Sequence, residues 1–176
     1  MDDRFSKRGT QVALTFVSIS RFAPGALAGM IKKSYAALVE ECPEYWEAEN
    51  ENWEDFDRGV FTYPESVGEC AFISLLDGEP VGLASYDPRQ APQYGIVGQN
   101  CVLPEYQGRG FGKEQIAETL RRFRERGMRA ARVTTSAHPF FLPARKMYES
   151  LGFREFRRFA GGPDPRYELI ELRLEL

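Results

Sequence analysis

Apolar positions along the chain recur in two ways, every second residue or every third and fourth, and the alternation between the two outlines the elements. Residues 11–19, QVALTFVSI, alternate in part and are rich in β-branched and aromatic side chains, which predicts a first strand. After the break at Pro24-Gly25, Leu27, Met30, Ile31, Tyr35 and Leu38 fall on one face of a helix. Cys42-Pro43 ends it, because a residue before proline is pushed out of the helical region. A second, shorter helix follows over 44–58, with Tyr45, Trp46, Trp53 and Phe56 as its apolar members. Residues 69–87 hold two β-rich runs around Asp77-Gly78, a strong hairpin signal. YGIVGQNCVL (94–103) reads as a further strand.

Helix 113–126 places Ile116, Ala117, Leu120 and Phe123 on its apolar face, and Gly127 is its natural stop. ARVTTS (131–136) is a short strand and ARKMYESL (144–151) a short helix. Residues 153–159 and 166–176 form a final pair of strands. In the last of these Tyr167, Leu169, Leu172, Leu174 and Leu176 carry the alternation, with an irregularity near Ile170. The order β-α-α-β-β-β-α-β-α-β-β packs as a mixed α/β sheet with helices on both faces. The 176 residues suffice for one domain, 1–176, and no repeat or linker divides them.

Composition narrows the class. Hydrophobic content of 43% and charged content of 28% are those of a soluble globular protein. No apolar run is long enough to cross a bilayer, and the first residues, MDDRFSKRGTQ, lack the apolar stretch of a secretory signal. Cys42, Cys70 and Cys101 are widely spaced and odd in number, so neither a disulfide framework nor a metal site is expected. Reduced thiols and a cytoplasmic location fit this pattern.

The net charge of −3 is unevenly spread. Residues 1–100 hold 8 Lys/Arg against 16 Asp/Glu, and residues 101–176 hold 15 against 10. Segment 40–57 carries nine acidic residues and no basic one. It is either an attractive wall for a cationic substrate or a solvated helix face. RRFRERGMRAAR (121–132) has six arginines, the one stretch that points toward nucleic acid. Glu125 interrupts it and the whole chain is negative, so nucleic-acid binding is disfavoured.

Between the strand 94–103 and the helix 113–126 lies PEYQGRGFGK, with Gly108, Gly110 and Gly112 at alternate positions. Strand, glycine-rich loop and helix present backbone N–H groups to a phosphate. A Walker A loop is excluded, because Glu114 follows Lys113 and Gln107 stands where its first glycine belongs. A dinucleotide fingerprint is excluded because the spacing is GxGxG and the loop lies mid-chain. The remaining alternatives are another phosphate ligand and a bare turn.

QGRGFG fits the pattern [Q/R]xxGx[G/A] through Gln107, Gly110 and Gly112, and about 40 residues on PARKMYESLGF (143–153) supplies Ala144, Tyr148 and Gly152-Phe153. With these two motifs the chain resembles the GNAT family of acyl-CoA-dependent N-acyltransferases, over roughly residues 11–176. It departs at Phe141, where many members carry asparagine, and in the aromatic, proline-rich SAHPFFLP.

The resemblance implies a mainly antiparallel central sheet, acetyl-CoA as cosubstrate, no metal, and direct attack by an amine, either a small molecule or a protein amine. It implies that Gln107, Gly108 and the amides of Arg109, Gly110, Phe111, Gly112 and Lys113 hold the pyrophosphate at a helix N-terminus. Val102 and Leu103 would offer backbone groups to the pantetheine arm, and an N–H there would polarise the thioester carbonyl. Arg145, with Lys146, would meet the 3′-phosphate.

Tyr148 is the expected general acid, since a phenol stays protonated at neutral pH. The base is less determined. An alkylamine costs about 4.6 kcal/mol to deprotonate at pH 7. The strand 94–103 holds no carboxylate, and Gln99 and Asn100 could only hold a water. His138, the one histidine, is the leading candidate. Glu69, Glu41 and solvent are the others. The acceptor site is expected at 27–58 and near 160–165. A homodimer is compatible with the sequence, and a non-catalytic acyl-CoA sensor is the alternative function.

Overall fold

The structure is a computed structural model that describes residues 13–162 and 164–176. Seven strands and four helices follow in the expected order: β1 (Thr15–Ser18), α1 (Ala26–Glu41), α2 (Pro43–Thr62), β2 (Ala71–Leu76), β3 (Glu79–Asp87), β4 (Gly95–Val102), α3 (Phe111–Glu125), β5 (Ala130–Ser136), α4 (Leu142–Ser150), β6 (Arg154–Phe159) and β7 (Leu169–Glu175). The strands form one sheet in the order β1-β2-β3-β4-β5-β7-β6. Every neighbouring pair is antiparallel except β4 and β5.

The β2–β3 hairpin turns on Asp77 and Gly78, both at positive φ (51° and 88°), which matches the right-handed twist of the two strands. Helices α1 and α2 pack with Ile73, Leu83 and Cys101 into one apolar cluster. Helices α3 and α4 pack with Val97, Val133, Ile170 and Leu172 into another. The sheet is thus covered on both faces.

Local chemistry adjusts several expected boundaries. The first strand keeps only Thr15–Ser18, because Ile19–Arg21 coil into a single tight turn capped by the Ser18 hydroxyl. Residues 11 and 12 of that expectation lie outside the described residues. Helix α2 is the longer of the first pair, 20 residues against 16. Its buried stripe Trp46, Trp53, Val60 repeats every seven residues and carries the helix past the expected end at 58.

Asp57 on α2 is buried and accepts from the N–H groups of Gly25 (2.6 Å), Leu27 (2.9 Å) and Ala28 (3.2 Å). The glycine that caps α1 has no side chain to do this, so α2 supplies the cap. On α3 the buried stripe includes Gln115 and Thr119, and Ala117 is exposed. Gln115 belongs inside because its amide donates to the carbonyls of Leu83 (3.1 Å) and Cys101 (3.2 Å), bolting α3 to β3 and β4. In β7, Ile170 shares the α3–α4 face with Leu172 and Leu174. The register shift falls in the β6–β7 pairing between Glu155 and Arg157.

Candidate active site

The glycine loop leaves a row of donors unused. None of the N–H groups of residues 108–113 donates to a protein acceptor among the described residues. The amides on either side, of Gln107 and Glu114, are bonded to Pro104 and Gly110. Gly108 (φ 76°) and Gly110 (φ 85°) take left-handed conformations that side chains resist, and Gly110 caps α3. These amides and the positive end of the α3 dipole therefore open together. A Cβ on Gly112 would sit 3.7 Å from Val102 Cγ2, so a larger residue there would grow into the same space.

That space is a cavity of about 360 Å³. Its wall includes Val102, Gln107, Gly108, Gly110, Phe111, Gly112 and Lys113 of the expected site, and among the described residues Lys113 is the only charged one along it.

The cavity continues into a gap in the sheet. β4 pairs with β3 as far as Val102, but with β5 only at Gly95 and Ile96. The parallel pair then splays. The N–H of Leu103 donates to Val81 (2.8 Å) and its carbonyl accepts from Tyr106 (2.9 Å). Leu103 is thus spent within the fold and does not reach the cavity wall. Strand alternation turns the main chain of Asn100 and Val102 the other way, into the gap. The Val102 carbonyl accepts from Gln107 Nε2 (2.9 Å) and Ser34 Oγ (3.3 Å). The Gln107 amide therefore fixes the loop on β4. Asn100 and the N–H of Val102 remain open to a ligand.

Tyr148 lies behind this gap. Its hydroxyl exchanges hydrogen bonds with the Asn100 amide, accepting from Nδ2 at 3.1 Å and donating toward Oδ1 at 3.4 Å. Asn100 lines the cavity, whereas Tyr148 is 3% exposed and stands one residue back. Burial pushes its phenol up to about 12, against the pull of Asn100. Cys101, on the cavity wall, is pushed by burial up to about 11.

His138 is placed elsewhere. It is buried, stacks on Tyr167 (5.1 Å, 9°), accepts the Phe140 N–H at Nδ1 (3.2 Å) and faces Glu41 Oε1 with Nε2 at 3.3 Å. Nδ1 is engaged by the Phe140 N–H, Nε2 lies beside Glu41, and the ring is not on the cavity wall. The guanidinium of Arg145 turns to the Ala137 carbonyl (3.4 Å), and that of Arg109 to the Glu105 carbonyl (3.4 Å) and the Tyr106 ring. Neither lines the cavity, and no carboxylate among the described residues lines it. Among the described residues no group of three or more His, Cys, Asp or Glu side chains is placed to hold a metal ion, and no helix is long and apolar enough to cross a membrane.

The wall also holds residues that the sequence did not single out: Ser34, Tyr35, Tyr106, Gln115, Phe140 and Met147. Gln115 left a signal, a polar residue in phase with the buried stripe of α3. Tyr35 left none, because it sits on the apolar stripe of α1 and reads as core.

Residues 33–153 match the model of the acetyltransferase (GNAT) family. No curated protein matches the chain. Among solved structures, a GNAT-family protein from Desulfovibrio desulfuricans shares 21% identity, with 93% of this chain and 99% of that one covered and a TM-score of 0.68. The ribosomal-protein-S18-alanine N-acetyltransferase from Escherichia coli shares 19% identity over 93% and 94%, with a TM-score of 0.65. A GNAT acetyltransferase from Elizabethkingia anophelis, determined with acetyl-CoA bound, shares 14% over 60% and 75%, with a TM-score of 0.51. At these identities the likeness is one of fold. The family match covers more than half the chain, and it includes the glycine loop and the Tyr148 segment. The chain belongs to the acetyltransferase (GNAT) family.

Proposed function

We propose that residues 1–176 act as a single-domain N-acetyltransferase that transfers the acetyl group of acetyl-CoA to an amine by direct attack. One observation carries this reading: six consecutive free N–H groups at the start of α3 open beside a gap in the sheet that ends at the Asn100–Tyr148 pair. The amides of 108–113 and the α3 dipole suit a pyrophosphate. Asn100 and the Val102 N–H suit the amides and carbonyl of an extended thioester arm, as a guest strand would be held. The same N–H can polarise that carbonyl as charge develops on its oxygen.

Tyr148 is assigned the proton for the departing sulfur. Burial keeps that phenol protonated at neutral pH, so it holds a proton to give as the thiolate leaves. With no carboxylate on the wall and His138 engaged, the proton of the amine is assigned to solvent. Three free cysteines accord with a reducing compartment such as the cytoplasm.

Calorimetry with acetyl-CoA, followed by thioester consumption with a panel of primary amines, tests the reading. One-to-one binding and amine-dependent release of free thiol are expected. Binding without release would make the protein an acyl-CoA sensor, and absence of binding would remove both functions.

A further inference from the structure

Simple alternation cannot account for the way β4 packs. Val97 lies in the cluster under α3 and α4, and Cys101, four residues on, lies in the cluster under α1 and α2. Strict alternation would put both on one face of the sheet. The register of β3 and β4 slips between them, since Ala84 faces Asn100 but Tyr86 faces Val97. One extra residue on β4 turns every later side chain over. Two neighbours fix this bulge. The Ser85 hydroxyl donates to the Gln99 carbonyl (2.9 Å), and Gly98 makes room for it, because a Cβ there would lie 2.7 Å from Ser85 Oγ. The bulge brings the Asn100 side chain to the α4 side of the sheet, where Tyr148 stands.

The surroundings of Asn100 also settle which way its amide points. Nδ2 lies 3.0 Å from the Gly98 carbonyl, which can only accept, so this end of the amide is the nitrogen. The second hydrogen of Nδ2 goes to the Tyr148 hydroxyl oxygen at 3.1 Å, and Oδ1 is farther from that hydroxyl, at 3.4 Å. The phenol ring is buried and held edge-on to Phe153 (5.6 Å, 68°), so only its O–H bond can turn. With the oxygen accepting from Asn100, the hydroxyl can direct its proton elsewhere. Asn100 lines the cavity, and so does Ala144, one turn before Tyr148 on the same face of α4. The cavity is the open direction for that proton.

We propose that Asn100 is a positioning residue for the acyl transfer: it holds the Tyr148 oxygen as an acceptor, so that the phenol proton faces the sulfur of the thioester. The inference rests on the acyltransferase reading above. As the amine nitrogen bonds to the acyl carbon, the C–S bond breaks and its electron pair stays on sulfur. The phenol proton moves to that sulfur, the negative charge passes to the phenol oxygen, and the surplus proton of the amine goes to solvent. The Asn100 N–H then becomes a charge-assisted donor to the phenolate, roughly twice as strong as a neutral one, until water returns the proton. Hydrogen bonding to the charged form favours it, so Asn100 pulls the phenol down while burial pushes it up.

The test reads the sulfur directly and needs no acceptor. The full chain is saturated with coenzyme A, and its thiolate is followed by ultraviolet absorbance from about pH 6 to about pH 10. The same chain saturated with desulfo-coenzyme A is the blank, which cancels the protein's own cysteines and tyrosines. A phenol proton aimed at the sulfur stabilises the thiolate, so Tyr148→Phe should raise the pH at which the bound thiol titrates by about one unit. Asn100→Leu removes the amide and nearly keeps its volume. It should raise that pH by about half a unit or more in the unaltered background and by less than about 0.2 in Tyr148→Phe. Asn100→Ala should behave in the same way. Coenzyme A affinity at about pH 7 should stay within about threefold throughout, which certifies the fold of each variant. A shift of equal size in both backgrounds would make Asn100 a partner of the sulfur in its own right. No shift in either, or loss of coenzyme A binding in both Asn100 variants, would make it structural. Each of these results overturns the proposal. Failure of the unaltered protein to bind coenzyme A, or a titration indifferent to Tyr148→Phe, would instead defeat the reading beneath it.

Discussion

The glycine-loop end and the aromatic end of the cavity are built from different material. The first is main chain, supplied by consecutive residues 108–113 and by Asn100 and Val102 on the adjoining strand. The second is side chain, brought together from Tyr35 on α1 and the turn at 139–141, with Trp46 and Trp53 of α2 packed against Tyr35. A main-chain site constrains conformation, so only the glycines matter and they repeat at fixed spacing. A side-chain site constrains identity at scattered positions, and only tertiary packing makes it a unit. One protein can hold the first constant and vary the second, which suits a shared donor and a private acceptor.

The contrast is most exposed at Gly112. Gly112→Leu should lower acetyl-CoA affinity by about 100-fold or more in calorimetry, since its side chain would fill space beside Val102. Arg109→Ala should cost less than about threefold, because that guanidinium faces Glu105 and Tyr106. Equal losses would show that the loop binds through side chains after all. Next in size is Tyr148→Phe, expected to lower kcat by about 100-fold with acetyl-CoA affinity within twofold. Full activity in that variant would take Tyr148 out of the chemistry, and a parallel loss of affinity would make it structural.

The smallest effect is on alkaline stability. Tyr148 has its folded pKa raised to about 12, and Tyr35 is also raised, both by burial, whereas an unfolded tyrosine titrates near 10. Each group then contributes stability that is whole below about pH 10 and is lost as pH rises through the folded value. The thermal midpoint should fall above about pH 10, less steeply in Tyr148→Phe than in the unaltered protein. A midpoint insensitive to that substitution would contradict the burial of the phenol.

The same contrast governs how much could be read from sequence. The element order and the Asp77-Gly78 hairpin follow from periodicity and turn chemistry, and both stand in the structure. The glycine loop was legible because its chemistry is local. His138 looked suited to base work because its ring titrates in the right range. Sequence could not show that Phe140 engages one ring nitrogen and that the ring stands off the cavity wall beside Glu41. The arginines of 121–132 illustrate the same limit. Arg121 and Arg122 pair with Glu118, Arg126 lies over Tyr86 and Arg132 over Tyr94, so most of that basic run is absorbed by the fold.

The parting of β4 from β5 has a consequence beyond binding. From Val97 onward β4 carries a sheet edge in the middle of a seven-stranded sheet rather than at its rim. Exposed edges invite pairing with other chains, and proteins usually blunt them with charge, proline or a short strand. β4 carries no charged residue or proline and runs for eight residues. Its protection is architectural: β5 continues along β7 on the far side of the gap, and α4 and the 139–141 turn stand over it. The fold thus keeps this edge flanked by its own elements instead of at the rim of the sheet.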